Sequence, residues 1–200
     1  MVAACDLDRA LRQRAVALTP TSSEFVTCMA TPGALEGMRK HVRLEAYPML
    51  AVVLVRETSG GRLTAAEFAQ VSDLVKKRSN SIVADQRASQ AQLDKQDAAI
   101  AANGGTLRRK SEGHEFGGFF EFTKALPSFT YLTTRRTTET EAGATEKVCE
   151  VVAASSMWAH GRMFGVIAID HCVGSPPYER VKSLTKTWLS TFESINPPGK

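Results

Sequence analysis

Two apolar runs meet at His160-Gly161, and they restrict the fold more than any other part of the chain. A His-Gly pair between valine- and isoleucine-rich segments suits a two-residue hairpin turn, with glycine at the second central position. His160 must then take a positive φ, which histidine tolerates better than a β-branched residue does. In that register Trp158 faces Met163, Val152 faces Ile169, Glu150 faces His171 and Cys149 faces Cys172. One face of the hairpin carries Cys149, Val151, Ala153, Met157, Phe164, Val166 and Ala168. The other carries Val152, Ala154, Trp158, Met163, Ile167 and Ile169. Both faces are apolar, so the sheet that contains residues 147–173 must be covered on each side.

The remaining elements follow from period and punctuation. Residues 6–17 read as a short amphipathic helix or a tether. After the turn cluster at 19–23 a short helix is expected through Met29, and Thr31-Pro32-Gly33 precedes a second turn or helix to about His41. The valine-rich run at 49–57 reads as a central strand buried on both faces, closed by Ser59-Gly60-Gly61. Thr64 and Glu67 have the spacing of a capping box, opening a long helical segment that ends at Asn103-Gly104-Gly105. A straight helix of that length would outreach the domain, so a break is expected near 76–81. Strands are predicted over 107–122 and 129–138, with an exposed loop over 139–145. Pro176-Pro177 opens a closing helix whose apolar stripe is Tyr178, Val181, Leu184, Trp188, Phe192 and Ile195.

That order predicts an α+β fold in which an antiparallel sheet is covered by helices on both faces, an α/β/α sandwich. The expected organisation is a tether or short helix at 1–20, one domain at 21–196 and a tail at 197–200. The chain has 200 residues, 43% hydrophobic and 23% charged, which is enough to bury a core and gives no sign of disorder. No apolar run reaches the roughly 18–20 residues of a membrane-spanning helix. The net charge of +4 is mild. Its densest clusters (Lys76-Lys77-Arg78, Arg108-Arg109-Lys110, Arg135-Arg136) have acidic neighbours and no interleaved aromatic platform, so they read as solvated faces rather than a nucleic-acid site.

The four cysteines form no CxxC pair and show no zinc-finger spacing. Val2-Ala3-Ala4 before Cys5, with Asp6 behind it, has the form of the end of a lipobox, which makes Cys5 a candidate for lipidation. It implies a periplasmic or inner-membrane-anchored protein, with the membrane reached only through that anchor. If Met1 is the true start, the implied compartment is the cytoplasm. Cys149 and Cys172 lie opposite each other at a hydrogen-bonded hairpin position, with Cα atoms about 5.5 Å apart. They are candidates for a disulfide in an oxidising compartment. Pairing of Cys5 with Cys28 is incompatible with acylation of Cys5.

No HExxH, GxSxG, GxGxxG or P-loop occurs, and no metal or cofactor is implied. His171, beside Asp170 and opposite Glu150, has the surroundings of a carboxylate-oriented base, but also those of a surface ion pair worth less than about 1 kcal/mol. The surface pair is the reading adopted. Strict alternation puts Phe116, Phe120 and Phe122 on one face and Phe119 on the other, with Gly117-Gly118 marking a bulge or bend. His114, Phe119, Arg135 and Arg136 make up a candidate binding surface.

The hairpin VxxSSMWxHGRMFGVIxID, the closing helix KSLTKTWLSTFESIN and the element order over 44–196 resemble the PsbP-like fold. That fold is shared by the photosystem II extrinsic protein, the Ran-binding Mog family and the bacterial DcrB-type lipoproteins. The resemblance carries no catalytic residues and implies a protein that binds partners. It implies a non-catalytic protein-binding module of the bacterial cell envelope, either an immunity protein facing a cognate toxin or an assembly factor. The alternative is a small-molecule or lipid-binding protein using the region 116–122, and a hydrolase using His171 stands behind both.

Overall fold

The computed structural model describes residues 2–19, 23–41, 49–55, 63–84, 86–102, 104–120, 126–172 and 174–196. The turns expected at 20–22 and 59–61, the helix stop at Asn103, Phe122 and the tail at 197–200 lie outside these residues. In chain order the elements are α1 (Ala4–Leu7), α2 (Arg9–Leu18), β1 (Ser23–Ala30), α3 (Pro32–His41), β2 (Met49–Val55) and α4 (Ala65–Ala84). They continue with α5 (Gln86–Ala102), β3 (Arg108–Phe120), β4 (Ser128–Glu141), β5 (Ala144–Ala159), β6 (Arg162–His171) and α6 (Tyr178–Ile195).

The fold is α+β, built on one six-stranded sheet in the order β1-β2-β6-β5-β4-β3 with every neighbouring pair antiparallel. The β5–β6 hairpin has the register read from the sequence, with Trp158 on Met163, Val152 on Ile169 and Glu150 on His171. His160 and Gly161 take φ values of 52° and 76°, the pair of positive angles that a two-residue turn matching the strand twist requires. The turn is anchored from outside: Leu63 N donates to Gly161 O at 2.8 Å and Trp158 Nε1 donates to Leu63 O at 2.6 Å. Thr64 and Glu67 form the capping box at the start of α4, with Thr64 N on Glu67 Oε2 at 2.7 Å and Glu67 N on Thr64 Oγ1 at 3.2 Å. Thr64 N and Thr64 Oγ1, the latter at 2.8 Å, both donate to the exposed Glu67 carboxylate and hold it below its ordinary pKa.

Three local expectations are corrected. Residues 23–30 form a strand, not a helix, because Cys28 and Ala30 meet one core cluster while Met29 between them meets another, a period-two demand, and a register shift between Phe25 and Thr27 puts Phe25 with the first. The long helical segment is not broken at 76–81, which lie within α4; α4 and α5 are separate helices ending at Ala84 and starting at Gln86. The loop expected over 139–145 is mostly strand. Ala142 and Gly143, with φ of 51° and 84°, make a second tight turn, so β4 and β5 run on past the core as threonine-rich ribbon.

The closing helix α6 lies against Leu132, Val151, Ala153, Met157, Val166 and Ala168, all fully buried. The centre of its apolar stripe is Val181, Thr185 and Leu189, with Tyr178, Leu184, Trp188 and Phe192 along the sides. Thr185 is tolerated there because its hydroxyl donates to Val181 O at 2.8 Å. Ile195, assigned to the stripe from spacing, is 72% exposed although the helical period keeps it on the same side as Val181 and Trp188; it is the last residue of α6. Ala4, Cys5, Leu11 and Ala15 of α1 and α2 join Cys28, Ala30 and Met49 in a second core cluster, and α4 and α5 contact β3. Among the described residues no helix is long and apolar enough to cross a membrane.

Candidate functional site: buried polar groups beneath the N-terminal helices

Beginning at Leu107, the alternation of β3 turns Leu107 and Arg109 inward and leaves Arg108 and Lys110 exposed. Arg109 is thus carried into the interior, where α5 supplies its partner. Its Nε donates to Asp97 Oδ1 at 2.8 Å and its Nη2 lies 2.7 Å from the same oxygen, with side-chain exposures of 1% and 5%. Asp97 Oδ2 also accepts from Arg109 N at 2.7 Å, and Gln96 Oε1 accepts from Arg109 Nη2 at 3.2 Å. About two helical turns earlier, Gln90 Oε1 accepts from Ser111 N at 2.7 Å while its Nε2 donates to Arg109 O at 3.0 Å. Side chains of α5 therefore occupy backbone groups of β3 that no strand reaches, β3 being the last strand of the sheet.

A second ion pair lies beside it. Arg135 of β4 is the register partner of Glu150 on β5, and both its Nε (2.8 Å) and its Nη2 donate to Glu150 Oε2. Glu150 is fully buried, and its Oε1 has no hydrogen-bond partner. His171 Nε2 stands 3.9 Å from that oxygen. Of the pair expected at the surface, Glu150 is an interior group, whereas the His171 side chain is 22% exposed.

His114, on β3 opposite Arg135, shares a hydrogen bond of 2.8 Å between its Nδ1 and Ser89 Oγ of α5. Burial lowers its pKa from the ordinary 6.5; the Arg135 charge acts in the same direction and the Glu150 charge opposes both. The folded chain thus keeps His114 neutral at a pH where the unfolded chain protonates it. Its contribution to stability is present above the ordinary histidine pKa and is lost as pH falls below it. The unfolding free energy, measured in urea between pH 7 and pH 5, is expected to fall, and to fall less in the His114→Gln protein. Equal losses in both proteins would show that His114 does not contribute.

The four side chains of the candidate surface are not brought together. His114, Phe119 and Arg135 share the face beneath α5, but Arg136 points to the other side of β4 and pairs with Glu115 at 2.5 Å in solvent. The register shift between Phe116 and Gly118 confirms the bulge and reverses the aromatic pattern. Phe116 and Phe119 now share a side, edge to face at 5.2 Å, and Phe119 reaches Tyr131 at 6.3 Å. Phe120 turns to the α6 face, where Lys182 Nζ lies 4.3 Å from its ring centroid. The grouping of Phe116 with Phe120 is thereby corrected, since one extra residue in a strand flips everything beyond it.

Cys149 and Cys172 form a disulfide across β5 and β6, with Cα atoms 5.2 Å apart and Cys172 N donating to Cys149 O at 2.9 Å. Cys5 and Cys28 form another, also with 5.2 Å between Cα atoms. The lipid-anchor expectation for Cys5 is corrected by this bond: its sulfur is joined to Cys28 and buried in the core. Among the described residues no group of three His, Cys, Asp or Glu side chains is placed to hold a metal ion.

Asp97, Gln90 and Ser89 were not singled out from the sequence, and Arg109 was assigned to a solvated cluster. The signal available for Arg109 was the period of two beginning at Leu107. Nothing in a helix as polar as α5 marks which carboxylate turns inward. Compared with family models, with characterised proteins and with solved structures, the chain matches none of them.

Proposed function

We propose that the chain is a non-catalytic protein-binding module of the bacterial cell envelope, acting as an immunity protein or an assembly factor. The observation that carries this reading is the pair of disulfides, Cys5–Cys28 and Cys149–Cys172, which accounts for every cysteine in the sequence. Disulfides persist in oxidising compartments such as the periplasm and are rare where thiols are kept reduced. A layered α/β/α arrangement of the PsbP-like kind is the fold proposed for this role. It is supported by α6 on one side of the sheet and, on the other, by the cluster of α1 and α2 with β1 and by the contacts of α5 with β3. In this reading the buried pairs Asp97–Arg109 and Glu150–Arg135 hold the sheet beneath its helices and carry no reaction.

Three measurements test the reading. Non-reducing peptide mapping of protein recovered from its own compartment is expected to return both linkages; free thiols there would remove the envelope assignment. Titration calorimetry against the product of an adjacent gene with the features of a secreted toxin is expected to show a one-to-one complex. Turnover of an ester, amide or glycoside substrate that disappears in the His171→Ala protein would overturn the non-catalytic assignment.

A further inference from the structure

We infer that the open end of the sheet beyond α6 is a docking surface for an acidic segment of a partner protein. It rests on the partner-binding reading and adds the chemistry of the surface used. The cover supplied by α6 starts at its first residue, where Tyr178 Oη and Thr134 Oγ1 are 2.6 Å apart. Past that point three more rows of residues share the same face of β3, β4 and β5. The first is Gly113, Arg136 and Cys149, the second Lys110, Thr138 and Lys147, and the third Arg108, Thr140 and Thr145. Arg108, Lys110, Thr145 and Lys147 are exposed, and the Arg136 side chain is 43% exposed. The reverse face of these rows is closed, with Arg109, Thr137, Glu139 and Val148 buried. Strand pairing and the Cys149–Cys172 disulfide fix the shape of the open face, so a partner meets a surface that is already ordered.

Charge selects the occupant. Four cations stand on this face, and two carboxylates reach it: Glu112 lies 3.6 Å from Lys110, and Glu115 pairs with Arg136. Both pairs are solvent-exposed and exchange partners at little cost. Arg108 donates to Leu107 O, and neither it nor Lys147 has a carboxylate partner among the described residues. Glu139, Glu141 and Glu146 fall on the reverse face by alternation. Around the first turn of α6, Arg180 and Lys182 are balanced by Asp170 and Glu179. The face therefore has an excess of positive charge. None of its nine residues carries an aromatic or branched aliphatic side chain, so a nucleobase has nothing to stack on and a bilayer receives no apolar anchor. The threonine hydroxyls between the cations suit a peptide, whose backbone and carboxylates both take hydrogen bonds. Successive rows are about 7 Å apart, the distance between alternate side chains of an extended chain. Carboxylates at every second position of such a segment would meet row after row.

The test uses the purified chain with its disulfides intact and isotope-labelled amides at low salt. It is titrated with a blocked peptide of alternating glutamate and serine and, separately, with an oligothymidylate of the same formal charge and with phosphatidylglycerol vesicles. Saturable shifts over residues 108–112, 136–140 and 145–149 are expected with the peptide, with the oligothymidylate and the vesicles binding more weakly. The Arg108→Glu/Lys147→Glu protein breaks neither ion pair of the face. It should keep its melting temperature and bind the peptide at least tenfold more weakly. The Lys77→Glu/Lys186→Glu protein, altered at exposed lysines of α4 and α6, has the same net charge and should bind like the parent. The inference is overturned if the peptide gives no saturable shifts on these strands, if the oligothymidylate or the vesicles bind as tightly, or if both variants lose binding alike. Calorimetry with the adjacent-gene product separates this surface from the reading beneath it. A complex formed equally well by the Arg108→Glu/Lys147→Glu protein would overturn the surface and leave partner binding standing.

Discussion

Replacing Asp97 by alanine is expected to destabilise the folded chain by about 3–5 kcal/mol, the usual consequence of removing one partner of a buried ion pair. Two losses coincide at this position. The Arg109 guanidinium, 1% exposed, is left charged and keeps its hydrogen bond to Gln96, and Arg109 N loses the carboxylate oxygen at 2.7 Å. Urea unfolding followed by circular dichroism measures the loss, and a value below about 1 kcal/mol would mean that the pair behaves as a solvated one. The companion experiment is a double variant, Asp97→Leu with Arg109→Met. Replacing both charges by apolar groups of similar size is often neutral, so most of the lost stability should return. Persistence of the full loss would shift the weight to the backbone bond at Arg109 N.

The second large effect is expected from the disulfides. Each joins residues 23 apart, and for loops of that length chain entropy alone supplies about 3 kcal/mol. The two should nevertheless differ. Cys149 and Cys172 sit on neighbouring strands that already share a backbone hydrogen bond and a two-residue turn. Residual hairpin structure in the unfolded chain would make that crosslink less costly to lose. Cys5 and Cys28 join α1 to β1, where the other ties include the bridge between Val2 and Ala30, the packing of Leu11 and Ala15 and the Arg12 guanidinium over the Phe25 ring. The Cys5→Ser/Cys28→Ser protein is therefore expected to lose about 3 kcal/mol, and the Cys149→Ser/Cys172→Ser protein less. Amide exchange should accelerate over residues 2–18 in the first and stay near the parent rate in the second. Equal stability losses with unchanged exchange at the N-terminus would contradict this picture.

The parts of the fold legible in the sequence were those where two physical demands coincide. The β5–β6 hairpin has both a turn that requires positive φ and two apolar faces, so register and burial point to the same pairing. The capping box at Thr64 and Glu67 was readable because both of its bonds are local. Residues 23–30 were misread because a short polar-apolar stretch carries no period of its own, and only pairing with β2 turns Phe25 and Cys28 inward. The tight turn at Ala142-Gly143 was hidden by the polarity of its threonine-rich flanks, which here extend as ribbon beyond the core. The buried polar cluster was the least legible. Arg135 and Glu150 meet through a register that the sequence does not state, and Asp97 meets Arg109 through the docking of a helix.

The occupation of the β3 edge by Gln90 and Asp97 bears on how safely this protein can be made. An outermost strand with free N–H and C=O groups is a template on which another chain can lengthen the sheet, and cells meet that hazard whenever such a strand forms before its cover. Here the cover precedes the strand in the chain, since α5 emerges during synthesis before β3 does. A nascent chain can thus have the shield at hand when the vulnerable strand appears. Weakening α5 would then raise the yield of insoluble aggregates more than its effect on the finished fold suggests.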